Sequence, residues 1–285
     1  MIAQPFEYTA PQTLREALGL IADGERKVLA GGMSLIPLMK LRLATPEHVI
    51  DLGHVPGLSG IKDSGGVLTI GAMTTHHEVE VSPLVRGRCP LLAEAASRIG
   101  DIQVRNRGTV GGSLAHADPA ADYPAALLAL EARVRLVTAD SDRTVPIGEF
   151  FVDTFATALE PGEIVLEVQV PAEVASEGYR YEKVEQPASG FAIVGVAARI
   201  RKEGGRIVLA RIGVTGMAPR PFRAGNAEKL LEGTAGTAAD IERAAAVVGE
   251  GEEANSDLHA SADYRHHLAR IHAARAIKVA SGRAS

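Results

Sequence analysis

The feature that most constrains this chain is a glycine pair, Gly31 and Gly32, that directly follows a short apolar run. The run at residues 28–30 predicts a buried strand, since aliphatic residues lead straight into the glycines. A glycine pair lets the chain turn freely and leaves backbone amides uncovered by Cβ atoms. Ser34 is a candidate N-cap for a short helix after the pair. A strand, uncovered amides and a helix start together predict a site for a phosphate or diphosphate.

A second glycine pair, also followed by a serine, occurs downstream at Gly111 and Gly112. Thr109 precedes this pair and Ser113 follows it, so that hydroxyl groups flank the glycines. Residues 115–122 form a turn-rich segment that ends in an acid before a predicted helix. A single motif of this kind also occurs as a plain strand-to-helix turn that binds nothing. Two of them favour one long ligand with a central diphosphate, held from both sides.

Two common nucleotide-binding fingerprints are missing from the sequence. No strand and helix flank a Gly-x-Gly-x-x-Gly run with a downstream acid, which argues against a Rossmann dinucleotide site. No glycine is followed by lysine and then serine or threonine, which excludes a P-loop. The serines of the glycine turns have no neighbouring base, so we assign no catalytic residue.

The composition describes an ordinary globular chain. Its 285 residues, 46% of them hydrophobic, are enough for two or three domains of ~100–200 residues. A formal net charge of -5 argues against nucleic-acid binding, which requires a clustered basic surface. No apolar run reaches the ~20 residues of a membrane helix, and the start of the chain lacks a signal-peptide pattern. We expect a cytoplasmic protein without a membrane span, with peripheral association as an open alternative.

The single cysteine, Cys89, limits the redox chemistry that this chain performs alone. An iron–sulfur cluster requires about four cysteine ligands, so no such cluster is held within the chain. Cys89 precedes a proline among apolar residues, which predicts a buried and inert thiol. The adjacent His76 and His77 have no third ligand at metal-binding spacing, and we predict that they lie on a solvated helix. No metal site is predicted.

The order of the predicted elements divides the chain into three units. Residues 1–55 mix short strands and helices in a compact α/β unit, and residues 56–175 form a second α/β unit. Residues 176–285 contain a run of strands followed by a run of helices, which is typical of an α+β domain. A linker is predicted at residues 172–178.

The terminal unit carries a clear hairpin signal at Gly204 and Gly205. The alternation after this turn predicts a buried strand face made of Val208, Ala210, Ile212 and Val214. A long helix is predicted at residues 261–279, with Tyr264, Leu268 and Ile271 as its packing positions.

At the two glycine motifs the sequence resembles a known family. Residues 30–43 are similar to the first FAD motif of the flavoprotein subunits of molybdenum hydroxylases, and residues 103–115 are similar to the second. The likeness runs nearly end to end, and it points to the carbon monoxide dehydrogenase medium subunits and the xanthine dehydrogenase FAD subunits. It implies an α+β chain with an FAD-binding fold of the vanillyl-alcohol-oxidase (PCMH) type. In that fold two α/β subdomains precede a C-terminal antiparallel sheet with helices.

The resemblance also assigns residues to FAD. The first motif would wrap the diphosphate with its backbone amides, with Ser34 adding a hydroxyl, and the second motif would form the opposite cradle. Asp122 would bind the adenosine side or order its own loop, and backbone groups around Val165 would line the adenine pocket. The implied cofactor-binding residues are Val28, Leu29, Ala30, Gly31, Gly32, Met33, Ser34, Leu35, Thr109, Gly111, Gly112, Ser113, Asp122, Val165, Lys183 and Phe191.

Two of these residues have alternative interpretations. Lys183 would approach the flavin ring, where a cation stabilises negative charge on the reduced form; alternatively it is a strand lysine whose stem covers apolar surface. Phe191 corresponds to an aromatic near the ring, or it is an ordinary core aromatic.

The sequence also departs from the family pattern. Met33 stands where many relatives have glutamine or histidine, and residues 185–190 lack the arginine and aspartate common in relatives. We therefore transfer no role to residues 185–190. Arg105 and Arg107 beside the second motif contact either a phosphate or a partner, or are surface arginines on a loop.

The function implied by the resemblance is electron transfer within a multisubunit oxidoreductase. Electrons from a substrate oxidised at molybdenum would pass through iron–sulfur clusters of a partner to this FAD, and then to a quinone, NAD or oxygen. The implied partners are an iron–sulfur small subunit and a molybdopterin large subunit, in a dimer of heterotrimers. The alternatives are a self-sufficient FAD-dependent oxidase or reductase of the same fold, and a non-catalytic nucleotide-binding scaffold.

Overall fold

The computed structural model describes residues 2–172 and 176–284. The predicted linker at residues 172–178 lies partly outside the described residues, and so does the proposed boundary after residue 175. The division into residues 1–55, 56–175 and 176–285 stays a prediction.

The first unit is a small parallel sheet with helices in the connections. Its elements are β1 (Glu7–Thr9), α1 (Leu14–Ile21), β2 (Lys27–Leu29), α2 (Leu35–Lys40) and β3 (His48–Asp51). The strand order is β1–β3–β2, and both pairings are parallel. The hydroxyl of Thr13 caps α1. Leu18 and Ile21 of this helix are buried in the core. The glycine pair joins β2 to α2 and therefore lies at the carboxyl end of a parallel strand.

The second unit is an antiparallel sheet covered by short helices. Its elements are β4 (Ile61–Ser64), β5 (Val67–Gly71), α3 (His76–Val81), α4 (Pro83–Arg88), α5 (Pro90–Ser97), α6 (Ile102–Arg107), α7 (Val110–His116), α8 (Tyr123–Ala129), β6 (Arg133–Val137), β7 (Asp142–Pro146), α9 (Ile147–Phe150), β8 (Phe151–Asp153), β9 (Ala156–Thr157) and β10 (Ile164–Pro171). The main sheet has the order β4–β5–β10–β6–β7, and β8 pairs with β9. Every residue of α8 is buried, because this helix is apolar on all sides and lies between the second unit and the terminal sheet.

The terminal unit is an antiparallel sheet with helices, as predicted. Its elements are β11 (Glu177–Glu185), β12 (Ala192–Glu203), β13 (Arg206–Thr215), β14 (Phe222–Arg223), α10 (Gly225–Leu231), α11 (Ala238–Ala246) and α12 (Ala262–Arg283). Its strands follow chain order in the sheet. A Cβ at Gly213 would stand 2.0 Å from the Ala125 carbonyl oxygen of α8, and a Cβ at Gly178 would stand 2.0 Å from the Ala280 carbonyl oxygen of α12. Glycine at these two positions lets both helices pack directly on the sheet.

Two packing predictions for the terminal unit are wrong. Val208 is 41% exposed, because a bulge between Arg201 and Lys202 leaves it unpaired and Ile207 takes the inward position. A bulge inserts one residue and moves the alternation to the other face. Tyr264 is half exposed at the start of α12, where Leu268 is the first aliphatic residue buried in the core.

Across residues 2–172 and 176–284, no helix has both the length and the hydropathy that crossing a membrane requires.

Candidate functional site

The structure brings the two glycine motifs into direct contact. A Cβ at Gly31 would stand 2.0 Å from the carbonyl oxygen of Arg107 and 2.8 Å from the Cα of Gly108. A Cβ at Gly112 would stand 3.3 Å from that of Ala30. Backbone therefore packs on backbone, and only glycine permits this approach at Gly31. The two motifs therefore lie side by side, and their joint binding of one ligand stays a prediction.

The first motif presents unused hydrogen-bond donors. Among the hydrogen bonds of the described residues, none uses the backbone amides of residues 31–34 as donors. Gly32 has a φ of +77°, a conformation that glycine adopts without strain, and its carbonyl accepts the amide of Ile36 at 3.1 Å. Adjacent free amides at a turn form a concave site for an anion.

The N-cap position predicted for Ser34 is confirmed, but its side chain does not cap the helix. Ser34 occupies the N-cap position of α2, but its hydroxyl accepts no amide of the helix. Its φ of -105° and ψ of -50° are helical, whereas a capping side chain requires an extended residue. The hydroxyl is therefore left for another acceptor. Of the neighbouring assigned residues, Val28, Leu29, Ala30 and Leu35 are half-buried and Met33 is exposed.

The second motif differs from the first, because its amides are already engaged. Gly111 donates to the Ala72 carbonyl at 2.8 Å, and Gly112 donates to the Thr109 hydroxyl at 3.1 Å. Ser113 donates its amide to the Thr109 carbonyl as α7 begins. The expectation of two equivalent amide cradles is thus replaced by an asymmetric pair. On this side the free donor is the Ser113 hydroxyl. It is half-buried and has no hydrogen-bond partner among the described residues.

The second motif is held in place by residues that the sequence reasoning missed. Val110 donates to the Thr74 carbonyl at 3.0 Å, and the Gly108 carbonyl accepts the amide of His76 at 2.9 Å. Thr75 and Glu78 form a capping box that starts α3 at this point. The Thr-x-x-Glu spacing is visible in the sequence and indicates this helix start.

Val165, which is predicted to line the adenine pocket, lies close to the residues that hold the second motif in place. Val165 is buried in β10, one residue before a bulge in its pairing with β6. The following carbonyl, that of Leu166, accepts the amide of Ala72, whose own carbonyl holds Gly111. β10 is therefore hydrogen-bonded to the second motif through one residue, and the contact of Val165 with adenine stays a prediction.

His76 is buried, so the prediction of a solvated histidine pair is wrong for this residue. Its ring packs edge-on against Tyr123 with the ring centroids 5.2 Å apart, and its Nδ1 has no hydrogen-bond partner among the described residues. Burial, with a smaller effect of the Arg105 charge, lowers the pKa of His76 to about 4. A neutral imidazole therefore lies under the second motif at physiological pH.

We expect the burial of His76 to make the protein acid-sensitive. Its folded pKa of about 4 lies below the ordinary value of 6.5, so its stabilising contribution is present above pH 6.5 and is lost as the pH falls towards 4. The loss amounts to roughly 3 kcal/mol at 1.36 kcal/mol per pKa unit. Urea unfolding at pH 7 and pH 4.5 should show a smaller pH dependence for His76→Phe than for wild type. The exposed His259→Phe serves as control, and equal pH dependence in all three proteins would contradict the role of His76.

Asp122 and Lys183 form a buried ion pair between the second unit and the terminal sheet. The Lys183 Nζ lies 2.9 Å from an Asp122 carboxylate oxygen and donates to the Arg98 carbonyl at 2.8 Å. The Tyr181 hydroxyl donates to Asp122 at 2.6 Å. Burial raises the pKa of Asp122 to about 6, although Lys183 and Tyr181 act in the opposite direction. These contacts show Asp122 ordering its own region, and the approach of Lys183 to a flavin stays a prediction.

Phe191 is 43% exposed and lines a cavity of about 290 Å³. The same cavity is lined by Asp118 and Pro119, which follow α7, and by Arg265 from α12. An exposed ring at a cavity wall is unlike an ordinary core aromatic, which would be buried. Its position against a cofactor ring stays a prediction.

The arginines beside the second motif have separate environments. They lie on α6 rather than on a loop. Arg105 pairs through its Nε with Glu80 at 2.9 Å, and its Nη1 donates to the carbonyls of Ile99 and Gly100. Arg107 is exposed. The divergent residues 185–190 form a turn in which the Gln186 side chain accepts the amide of Ser189 at 2.6 Å.

The chemistry of this site suits a diphosphate ligand. It offers the free amides of residues 31–34 and the hydroxyls of Ser34 and Ser113, all of which are neutral donors. A Cβ on either motif would fill the contact between them. Among the described residues there is no cluster of histidine, cysteine and carboxylate side chains that could bind a metal.

Comparison with known protein families agrees with this chemistry. Residues 4–173 match the model of the FAD binding domain in molybdopterin dehydrogenase. Residues 179–280 match the model of the CO dehydrogenase flavoprotein C-terminal domain. The two models meet near the junction of the second unit and the terminal sheet.

Individual relatives match over the full length. The carbon monoxide dehydrogenase medium chain of Hydrogenophaga pseudoflava is 41% identical over 285 residues, covering 99% of each chain. The 6-hydroxypseudooxynicotine dehydrogenase complex subunit alpha of Paenarthrobacter nicotinovorans is 36% identical, covering 98% of this chain and 95% of the relative. A solved structure of the Hydrogenophaga pseudoflava carbon monoxide dehydrogenase superposes with a TM-score of 0.97 at 43% identity, with both chains fully covered.

Proposed function

Because the chain belongs to the FAD-binding subunit family of molybdopterin dehydrogenases, we propose that the contact between its two glycine motifs holds the FAD diphosphate. The chain is an oxidoreductase component with FAD as its cofactor, related to the medium chains of carbon monoxide dehydrogenase. The observation that supports the site is the set of free amides at residues 31–34, placed against the second motif.

The residues of the chain divide the work of binding. The amides of residues 31–34 and the hydroxyl of Ser34 donate to phosphate oxygens from one side, and Ser113 donates from the other. FAD held by these residues would supply the redox chemistry, with a partner as the electron donor and a quinone, NAD or oxygen as the acceptor. Thr109 holds the Gly112 amide and so shapes the second cradle rather than contacting the ligand through that amide. In the same proposal Lys183 and Phe191 lie near the flavin ring.

The partners in this proposal are an iron–sulfur small subunit and a molybdopterin large subunit. The chain has one cysteine, and Cys89 is buried, so it does not supply the roughly four thiolates of a cluster. In this proposal the electrons therefore reach the FAD from a cluster on another polypeptide. The dimer of heterotrimers and the cytoplasmic location stay predictions.

We expect the isolated chain, loaded with FAD, to be inert towards substrates of the complex. The experiment is anaerobic: carbon monoxide, an aldehyde or an N-heterocycle is mixed with the chain alone and then with its iron–sulfur and molybdopterin partners. Flavin bleaching should occur only in the complete mixture, because only the partners hold the metal centres that oxidise the substrate.

Three results decide between this function and its rivals. Bleaching by the chain alone would identify a self-sufficient flavoenzyme. A purified chain without flavin absorbance, to which FAD does not bind, would identify a non-catalytic scaffold. Co-purification of the three subunits, together with substrate-dependent bleaching, supports the electron-transfer subunit.

A further inference from the structure

Residues 118–122, which we call the 118–122 turn, connect α7 of the second motif to the buried helix α8. Asp118 closes the turn from inside: its side chain accepts the amide of Ala120 at 2.8 Å, and its carbonyl accepts the amide of Ala121 at 3.0 Å. Buried backbone groups need partners, so the remaining carbonyls of the turn bond outside it. Helix α7 carries Ser113 and leads into the turn, so the position of the turn affects the position of Ser113.

Two backbone amides of the terminal unit hold the 118–122 turn. The Ala120 carbonyl accepts the amide of Ala192, at the start of β12, at 3.1 Å. The Pro119 carbonyl accepts the amide of Gly216, directly after β13, at 2.7 Å. Both donors belong to the terminal sheet, whereas both acceptors follow the second motif in the chain. The terminal unit therefore positions a segment of the second unit.

The Thr215 side chain adds a further contact to the same turn. Its hydroxyl oxygen lies 2.8 Å from the carbonyl oxygen of Pro119 and 2.7 Å from that of Ala121. A hydroxyl has one proton to donate, so the two carbonyls share it. Thr215 is 1% exposed, and water does not replace a hydrogen bond that is lost at such a site. The hydroxyl thus ties two carbonyls of the turn to the end of β13.

Arg265 on α12 fixes the two segments that supply these donors. Its Nη1 donates to the Ile193 carbonyl at 2.6 Å and to the Gly216 carbonyl at 2.8 Å, and its Nη2 donates to Asp257 at 2.6 Å. Gly216 has a φ of +78°, and a Cβ there would stand 2.6 Å from the Ile193 carbonyl oxygen. Glycine therefore lets the two carbonyls approach one guanidinium. Arg265 is buried, and its planar fork holds these acceptors in one arrangement.

We propose that Thr215 and Arg265 are positioning residues for FAD binding. Through them the terminal unit clamps the 118–122 turn and so sets the second motif in its binding geometry. This inference rests on the proposed function, in which Ser113 donates to the diphosphate. Groups that contact a ligand keep their geometry only when the residues behind them are fixed. FAD affinity then depends on a hydroxyl and a guanidinium that lie outside both glycine motifs.

The first test separates the hydroxyl of Thr215 from its volume. Thr215→Val keeps the shape of the side chain and removes the hydroxyl, whereas Thr215→Ser keeps the hydroxyl and removes a methyl group. FAD is titrated into each full-length chain, and the unfolding midpoint is measured beside it. We expect about tenfold weaker FAD binding in Thr215→Val, the effect of one lost buried hydrogen bond, and near wild-type binding in Thr215→Ser.

The second test observes the clamp without FAD, by amide hydrogen exchange of the full-length chain. Arg265→Met removes the guanidinium, so the backbone on both sides of the clamp loses its anchor. The amides of Ala192 and Gly216 should then exchange about tenfold faster or more, because local opening exposes them. Arg270→Met is the matched control, since Arg270 lies on the same helix and is exposed. Both amides should keep their wild-type rates in this control.

Other outcomes overturn the inference in distinguishable ways. FAD binding as weak in Thr215→Ser as in Thr215→Val would show that packing, and not the hydrogen bond, matters. Wild-type FAD affinity in both Thr215 variants would separate the 118–122 turn from the cofactor site. Unchanged exchange in a folded Arg265→Met would remove Arg265 from the clamp, and if this variant does not fold, the Thr215 pair decides. Failure of the wild-type chain to bind FAD would instead contradict the proposed function, while the exchange rates still report on the clamp.

Discussion

Gly31→Ala is expected to abolish stoichiometric FAD binding while the chain remains folded. The new methyl group would stand 2.0 Å from the Arg107 carbonyl oxygen, far inside van der Waals contact, and that atom belongs to backbone rather than to a flexible side chain. The two motifs must therefore separate, which misplaces the free amides of residues 31–34 relative to Ser113. Loss of two or three charge-assisted hydrogen bonds to the diphosphate weakens binding by roughly 100-fold or more. Flavin absorbance and FAD titration measure the effect.

Gly19→Ala is the matched control for this substitution. Gly19 lies on α1, and a Cβ there would meet nothing within 4 Å. Its far-ultraviolet circular dichroism, unfolding midpoint and FAD content should equal or exceed those of wild type, because alanine is favoured over glycine in a helix. Full FAD occupancy in Gly31→Ala, with a native unfolding midpoint, would remove the glycine motifs from the cofactor site.

Lys183→Met should destabilise the protein by about 3–5 kcal/mol at pH 8, the cost of leaving a buried charge without its partner. The Lys183 side chain is fully buried, and it neutralises Asp122 at 2.9 Å. Removing the lysine raises the pKa of Asp122 above the value of about 6 that it has in the wild type. A folded pKa above the unfolded one stabilises the protein at low pH, and this contribution is lost as the pH rises through the folded value. The variant should therefore be closest to wild type near pH 5 and furthest from it at pH 8.

The double variant Asp122→Asn with Lys183→Met separates charge from packing. It removes both members of the ion pair, so no buried charge is left uncompensated, and its free energy of unfolding at pH 8 should recover most of the loss. Urea unfolding of the single and double variants at both pH values measures the coupling. A double variant as unstable as Lys183→Met at pH 8 would show that packing, and not the unpaired carboxylate, causes the loss.

Local patterns in the sequence predicted several helices and strands of the fold. Alternation at residues 206–214 and the glycine turn before it predict the long hairpin of the terminal sheet, and the structure contains it as β12 and β13. The apolar stripe around Leu18 predicts α1. These signals succeed because strand and helix periodicity depends on residues that are adjacent in the chain. The same reasoning placed Val208 inside, since a bulge depends on pairing with another strand.

The sequence by itself determined the chemistry that the chain has available. Two glycine pairs with flanking hydroxyls indicate a diphosphate site, and one cysteine excludes an iron–sulfur cluster within the chain. Only the tertiary structure decided which donors are free and which charges are paired. The amides of residues 111 and 112 are engaged and those of residues 31–34 are not, although both motifs read alike. Asp122 meets Lys183 across 61 positions of the chain, and His76 is buried beneath a motif that begins some thirty residues later. Such contacts depend on how separate elements pack against each other, and no pattern of neighbouring residues encodes them.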